Sequence, residues 1–379
     1  MARPFGIYVH FPYCTHRCPY CDFAVTTERP PARGEYARAI LAELALRAPS
    51  FSGLDARSVY LGGGTPSLWD PDDVGEVLTA LRARFSIPPG AEVTIEVNPE
   101  SSSRERLLAW RRAGVNRVSV GVQSFDPGVL AKLGRRHGAD LAEQAIRDAA
   151  DVVGNASVDL IYAARRSTVE IARADATRAV GAGACHVSAY ALTLDADVLA
   201  EEVPLARLRA QGRLTLPDDD EASAQARAIE AAVRRAGLRR YEISNFARAG
   251  AESVHNRLYW EGESYLGLGA GAYGCVRGEE GALRYGNLRD AGRWRAAVLE
   301  GALPTAEEDR IAPGAERNER LMLALRMRRG APLAALSLAQ AREAEALVAH
   351  RLAVRRAGRL VLTRRGMEVH SAVAERLFE

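Results

Sequence analysis

A single lysine, Lys132, stands among the 51 basic residues of this 379-residue chain, and the others are arginine. That near-absence reads as a bias of codon composition, and it leaves the chain with the cation better suited to clamping carboxylates. Cysteine is also scarce. Five in the whole chain is an odd and sparse number, which argues against a disulfide framework. No stretch approaches the roughly eighteen uninterrupted apolar residues of a membrane span, and the opening Met-Ala-Arg-Pro lacks the apolar core of a secretory signal. A near-balance of charge, +3 in total, gives no reason to expect a nucleic-acid surface. Repeats and low-complexity segments are missing too. What remains is globular: 47% hydrophobic and 26% charged residues, enough for a sizeable core in one large domain or two.

Against this background one cluster stands out. Cys14, Cys18 and Cys21 form a C-x3-C-x2-C triplet directly after a short apolar run. A [4Fe–4S] cube normally takes four thiolates. Three leave one iron open, as a substrate-binding or catalytic site requires. Zinc is the alternative, but zinc sites usually pair two C-x2-C knuckles or add histidines. His10 and His16 could complete such a site; Cys185 and Cys275 stand alone and read as small buried residues. The iron–sulfur reading is preferred, and an oxygen-sensitive cluster with reduced thiols implies a cytoplasmic protein.

Strand-like and helix-like segments alternate over most of the chain, which predicts an α/β fold with parallel strands. Strands are expected at Gly6–Phe11, Ser58–Leu61, Glu92–Val97, Arg117–Gly121, Ser157–Tyr162, His186–Tyr190 and, more weakly, Arg240–Ser244. Amphipathic helices are expected at Tyr36–Arg47, Pro71–Arg84, Arg104–Ala113, Leu141–Asp151, Val169–Val180 and Ala222–Ala236. Near Pro304 the pattern changes to helices around Ala315–Arg328 and Leu338–Leu352, a basic strand Arg359–Thr363 and a last helix, which suggests a small winged-helix-like domain.

The chemistry-bearing residues fall at strand C-terminal ends, where such folds place their sites. Gly62-Gly63-Gly64-Thr65-Pro66 closes the second strand, and its side-chain-free backbone can approach a ligand closely. Glu96-Val-Asn98-Pro99 closes the third, and Gly121-Val-Gln123-Ser124 the fourth. Arg135 is suited to a carboxylate. Asp159 is an acid in a run that otherwise looks buried, so it requires partners.

Tyr8-x-His10-x-Pro12-x-Cys14-x3-Cys18-x-Tyr20-Cys21-Asp22-Phe23, these strand-end motifs and Leu133-Gly134-Arg135-x-His137 together resemble the HemN/HemW branch of the radical S-adenosylmethionine (SAM) superfamily, over essentially the whole chain. The resemblance implies an incomplete (β/α)6 barrel at 1–240 carrying a [4Fe–4S] cluster, a connecting segment at 241–303 and a C-terminal domain at 304–379. It places Cys14, Cys18 and Cys21 on the cluster, and Tyr8, Gly63, Gly64, Thr65 and Glu96 around SAM. Gln123, Arg135 and Asp159 match positions that contact a second SAM in the oxidase members.

Within that branch, oxygen-independent coproporphyrinogen III oxidases carry a fourth cysteine two residues after the third, and an N-terminal extension. Here Asp22-Phe23 follows Cys21 and only seven residues precede Tyr8. The chain therefore looks closer to the haem-chaperone side, whose members bind haem and hand it to haem-requiring proteins. His255-Asn256-x-x-Tyr259-Trp260 matches the haem-binding motif proposed for them and makes His255 the candidate haem ligand, although a satisfied histidine in an aromatic turn would look the same. The glycines of Tyr265–Gly274 suggest close backbone packing. The branch also implies an electron donor such as flavodoxin or ferredoxin, no catalytic residue being assigned, and it leaves peripheral membrane contact open. One departure concerns Ala163-Ala-Arg165-Arg166-Ser167-Thr168, where the family has Gly-Leu-Pro-Gly-Gln-Thr. Its loop is expected either to reshape the pocket or to be peripheral.

Overall fold

The computed structural model describes residues 2–194 and 202–378. Six strands, β1 (Pro4–Phe11), β2 (Asp55–Gly63), β3 (Glu92–Val97), β4 (Arg117–Gln123), β5 (Ala156–Tyr162) and β6 (His186–Ala191), lie side by side in chain order. Each neighbouring pair is parallel, so every connection must be a crossover, and here the crossovers are helical. Local signals set the helix limits. Asp70 caps Pro71–Arg84 by accepting the Asp72 N–H, with Pro71 in the first turn, and Ser103 caps Arg104–Ala113 in the same way.

Alternation along the strands explains the two faces of this sheet. Ile7, Val9, Val59, Leu61, Val93, Ile95, Val118, Val120, Val158 and Val187 are buried beneath the helices; each fully buried aliphatic side chain stabilises by about 1.5–3 kcal/mol. The intervening positions, including Tyr60, Glu96, Ser119, Asp159, Ser188 and Tyr190, line one shared cavity. Residues from five successive strands can share a cavity only if the sheet is curled. It does not close. β9 (Ser264–Leu268) adds to β1 in parallel, and beyond it β10 (Tyr273–Gly278), β11 (Gly281–Asn287) and β12 (Thr305–Ile311) continue antiparallel. The opposite edge carries β8 (Asn245–Ala247) and β7 (Arg239–Arg240).

Two expectations differ from this arrangement. Of Arg240–Ser244 only Arg240 is strand, as the end of β7: residues 241–244 form the connection between β7 and β8, where the Glu242 carboxylate accepts the Ser244 N–H at 2.9 Å and the Asn245 side chain at 2.5 Å. The segment 241–303, expected as a connector, supplies β8 to β11, and β12 beyond residue 304 still belongs to the main sheet. Five of the seven residues of β12 are exposed, so it has no apolar alternation by which a sequence could reveal it.

After β12 the architecture does change. Helices Pro313–Arg326, Leu338–Ala349 and His370–Leu377 surround a three-stranded antiparallel sheet of β13 (Ala331–Pro332), β15 (Arg359–Leu362) and β14 (Ala353–Arg356). Leu325, Leu347, Leu360, Val373 and Leu377 form its separate apolar core.

Candidate cluster and cofactor site

A cavity of about 550 Å³ opens at the strand C-terminal ends, lined by Cys14, Cys18 and Cys21 together with Gly63, Gly64, Thr65, Glu96, Gln123, Arg135 and Asp159. That volume lies in the range of small-molecule sites. The cysteine loop is tied down by its backbone: Thr26 N–H donates to Pro12 O and Cys14 N–H to Thr26 O, both at 2.9 Å. Gly64 N–H donates to Phe11 O at 2.8 Å and Thr65 N–H to Tyr13 O at 3.0 Å, which sets the glycine segment against the first cysteine. A Cβ on Gly64 would lie 2.9 Å from Cys14 Sγ and 2.8 Å from Pro12 O, so no other residue allows this approach.

Polar hydrogens also converge on the sulfurs. Thr65 Oγ1 donates to Cys14 Sγ at 3.4 Å, and Arg135 Nη1 lies 3.9 Å from Cys18 Sγ. Arg135 Nη2 donates to Asn98 Oδ1 at 2.6 Å and Gly121 O at 2.8 Å, while its Nε is buried with no partner. Burial raises the Cys14 thiol above its ordinary value and pushes Cys21 up to about 11. The ligand-free thiols of Cys14 and Cys21 are therefore held protonated, and a metal must displace those protons to bind. Among the described residues no three His, Cys, Asp or Glu side chains converge on one ion-sized point. Three thiols lining one cavity suit a cube in which each sulfur takes its own iron. The donor set fits a cluster with one iron left open.

Two carboxylates share the cavity with the sulfurs. Glu96 accepts Tyr60 Oη–H at 2.7 Å and Gly63 N–H at 3.1 Å; Asp159 accepts Ser119 Oγ–H at 3.1 Å. Burial, and then repulsion from Asp159, raises Glu96 to about 7. Native Glu96 thus retains a proton that the unfolded chain releases near its ordinary value of about 4.3. A pKa raised on folding favours the native state at low pH, and that contribution disappears as pH rises through the folded value. Ligand-free protein should therefore lose stability between about pH 4.3 and pH 7, and Glu96→Gln should flatten that part of the profile. Urea unfolding across this range checks it; a slope unchanged by the substitution contradicts the assignment.

Gln123 adopts φ 67° at the end of β4, beside an irregularity in the β4–β5 register that turns its side chain into the cavity. Tyr8 is elsewhere. It does not line the cavity; its hydroxyl bonds His10 Nδ1 at 2.9 Å, and its ring stacks on Tyr60 with centroids 6.2 Å apart.

His255 lies at the other end of the barrel. The helix Val254–Trp260 closes the strand N-terminal ends, where Glu92 accepts the N–H groups of Val254 at 2.9 Å and His255 at 3.0 Å, an anion at a helix N-terminus. The His255 ring is 2% exposed. Its Nδ1 bonds Ser58 Oγ and its Nε2 bonds Tyr259 Oη, both at 2.9 Å, and burial lowers its pKa to about 3. With both nitrogens engaged, this is a core histidine in the described conformation. His255→Ala should destabilise by about 2–4 kcal/mol, because it empties a packed site and orphans two buried hydroxyls. Denaturant unfolding would show it, and a loss below about 0.5 kcal/mol, the scale of an ordinary surface substitution, would contradict this placement.

The site also includes residues given no role from sequence: Tyr60, Asn98, Arg117, Ser119, His186, Ser188, Tyr190 and Asn256. The signal for most of them was present as polar residues at every second position of otherwise apolar strands. The 163–168 loop contributes nothing to the cavity lining. Ala163 and Arg166 hold φ of 54° and 73°, left-handed values at the two positions where the family has glycine, so the backbone retains that shape without the residue that favours it. The glycines of Tyr265–Gly274 do pack closely, but against the protein itself: a Cβ on Gly269 would lie 2.4 Å from His10 O, and one on Gly274 2.1 Å from the Tyr285 ring.

The model of the Radical SAM superfamily matches residues 8–173. Heme chaperone HemW of Mycobacterium tuberculosis is 38% identical over 383 residues, covering 99% of this chain and 95% of that protein. The chain belongs to the HemW family. Heme chaperone HemW of Escherichia coli is 33% identical, over 74% of this chain and 72% of its own length. Among solved structures, coproporphyrinogen III oxidase (HemN) from Escherichia coli superposes with a TM-score of 0.80 at 20% identity, covering 99% of this chain and 90% of that one. That likeness is one of fold: an α/β radical SAM architecture with a mixed sheet. Superfamily membership implies a [4Fe–4S] cluster and SAM for the HemW family, and no helix among the described residues is long and apolar enough to cross a membrane.

Proposed function

We propose that this chain is a haem chaperone, one that binds a [4Fe–4S] cluster, SAM and haem and passes haem to haem-requiring proteins. The observation that carries the reading is identity of 38% along nearly its whole length to a protein named heme chaperone. Cys14, Cys18 and Cys21 would hold the cluster, with Arg135 and Thr65 supplying hydrogen bonds toward the sulfurs. Gly63, Gly64, Thr65 and Glu96 would hold SAM beside it, and Gln123, Arg135 and Asp159 face the remaining volume. A bound cluster supplies an electron, so a flavodoxin- or ferredoxin-type donor is part of the proposal. So is a cytoplasmic location.

His255 can serve as a haem ligand only if one ring nitrogen gives up its partner, Nδ1 its Ser58 or Nε2 its Tyr259, and the helix Val254–Trp260 withdraws far enough to expose it. The chaperone reading does not depend on that movement. Its test is anaerobic incubation of haem-loaded, cluster-loaded protein with a haem-free acceptor, followed through the acceptor's recovered activity. Transfer without consumption of coproporphyrinogen III supports the reading. Conversion of coproporphyrinogen III with SAM turnover, and no transfer, would replace it with oxidase chemistry.

A further inference from the structure

A second cavity, of about 580 Å³, lies away from the cysteines, between the barrel sheet and the C-terminal unit. Its walls are the end of the helix Asp219–Arg235 with β7 and β8 on one side, and the β14–β15 hairpin with the helix Arg364–Glu368 on the other. Contacts across it fix its shape: Arg328 N–H donates to Tyr241 O at 2.9 Å, and Arg240 Nη1 approaches Met367 Sδ at 4.0 Å.

The lining is of two kinds. Leu238, Phe246, Leu362 and Met367, none more than 8% exposed, form an apolar floor. Around it stand eight arginines; Glu230 is the one acid among the lining residues, while Glu261 pairs with Arg329 at 3.2 Å and Glu368 with Arg364 at 3.6 Å. Glu230 is taken by Arg240 at 3.0 Å and by Arg364 at 3.8 Å. Arg234, Arg328 and Arg356 have no acidic partner among the described residues. The guanidinium groups left without an acid make this cleft cationic within a chain of net charge +3, a field that favours an anionic ligand.

We propose that this cleft is the haem site, with the macrocycle on the apolar floor and its propionates on the arginine rim. The proposal rests on the haem-chaperone reading and deepens it. An amphipathic dicarboxylate is what such a floor and rim recognise, since guanidinium groups bind carboxylates in bidentate fashion. A groove between two units of a chain is also a common setting for ligands. The first cavity is committed to the cluster and SAM, and His255 is enclosed in the barrel, so haem requires a place of its own.

The test is haem titration of full-length, cluster-loaded protein, comparing wild type with Arg328→Glu/Arg356→Glu. Both arginines are exposed, so the variant should fold, and circular dichroism with SAM affinity confirms that it has. The expected result is one saturable haem per chain in wild type and binding weakened at least about tenfold in the variant, with SAM affinity unchanged. Haem dimethyl ester, which lacks the free carboxylates, should bind wild type as weakly as haem binds the variant. Equal haem affinity in both proteins overturns the site while leaving the chaperone reading standing. Absence of saturable binding in wild type removes the chaperone reading itself.

Discussion

Cys18→Ser should leave anaerobically reconstituted protein with iron and acid-labile sulfide at background levels and without the broad visible absorption of a cluster. Cys18 is the most buried of the three cysteines, and Arg135 approaches its sulfur. A serine oxygen at that position is a hard donor that loses its proton far less readily than a thiol, and a cluster of soft thiolate-bound irons is poorly served by it. With only three protein ligands there is no spare donor to compensate. Fold should be unaffected, because the loop is anchored through backbone bonds between Cys14, Thr26 and Pro12 that do not involve the sulfur. Cys185→Ser is the matched control. Its Sγ donates to Asn155 Oδ1 at 3.3 Å, which a serine can also do, and the residue lies outside the cavity. Full iron content in Cys18→Ser, or equal loss in Cys185→Ser, would contradict the assignment of the cluster to this loop.

Glu43→Ala should cost about 3–5 kcal/mol of stability, the scale expected when one partner of a buried charged network is removed. Glu43 is fully buried on the helix Glu35–Arg47. It accepts Arg47 Nε–H at 2.8 Å, Asn287 Nδ2–H at 2.6 Å, Gly269 N–H at 2.8 Å and Trp294 Nε1–H at 2.9 Å. One carboxylate therefore ties the first crossover helix to the β9–β10 turn, to β11 and to the helix Ala291–Leu299. Removing it strands four donors and leaves the Arg47 cation without that carboxylate. The consequence should reach the site, since Gly269 packs on His10 O and Tyr36 on the same helix donates to that oxygen at 2.6 Å. Glu43→Gln, which keeps one acceptor oxygen, should be milder. Urea unfolding of the three proteins measures the order, and a loss in Glu43→Ala below about 1 kcal/mol, that of a single ordinary hydrogen bond, would show that the network is dispensable.

The barrel was legible because its two periodicities are regular. Strands such as Glu92–Val97 and helices such as Pro71–Arg84 and Arg104–Ala113 begin and end at the expected residues, where caps and apolar alternation agree. The cysteine triplet and the strand-end glycines were legible as a location for another reason: residue type and spacing single them out, and the fold brings both to one cavity. Glu43 was not, because an i,i+4 Glu–Arg pair on a helix looks the same whether it faces water or a neighbouring strand. The antiparallel extension from β9 to β12 was hidden by glycines that read as turns and by charged residues on an exposed edge. His255 illustrates the remaining limit. Its string of neighbours fits a haem ligand and a barrel plug equally well, and only the positions of Ser58 and Tyr259 distinguish the two in the folded conformation.

The most direct test of the central claim is a haem titration of anaerobically reconstituted, cluster-loaded protein followed at the Soret band. A chaperone predicts saturable binding at a fixed stoichiometry, with the bound haem released to a haem-free acceptor. Failure of the cluster-loaded protein to take up haem saturably would contradict the account.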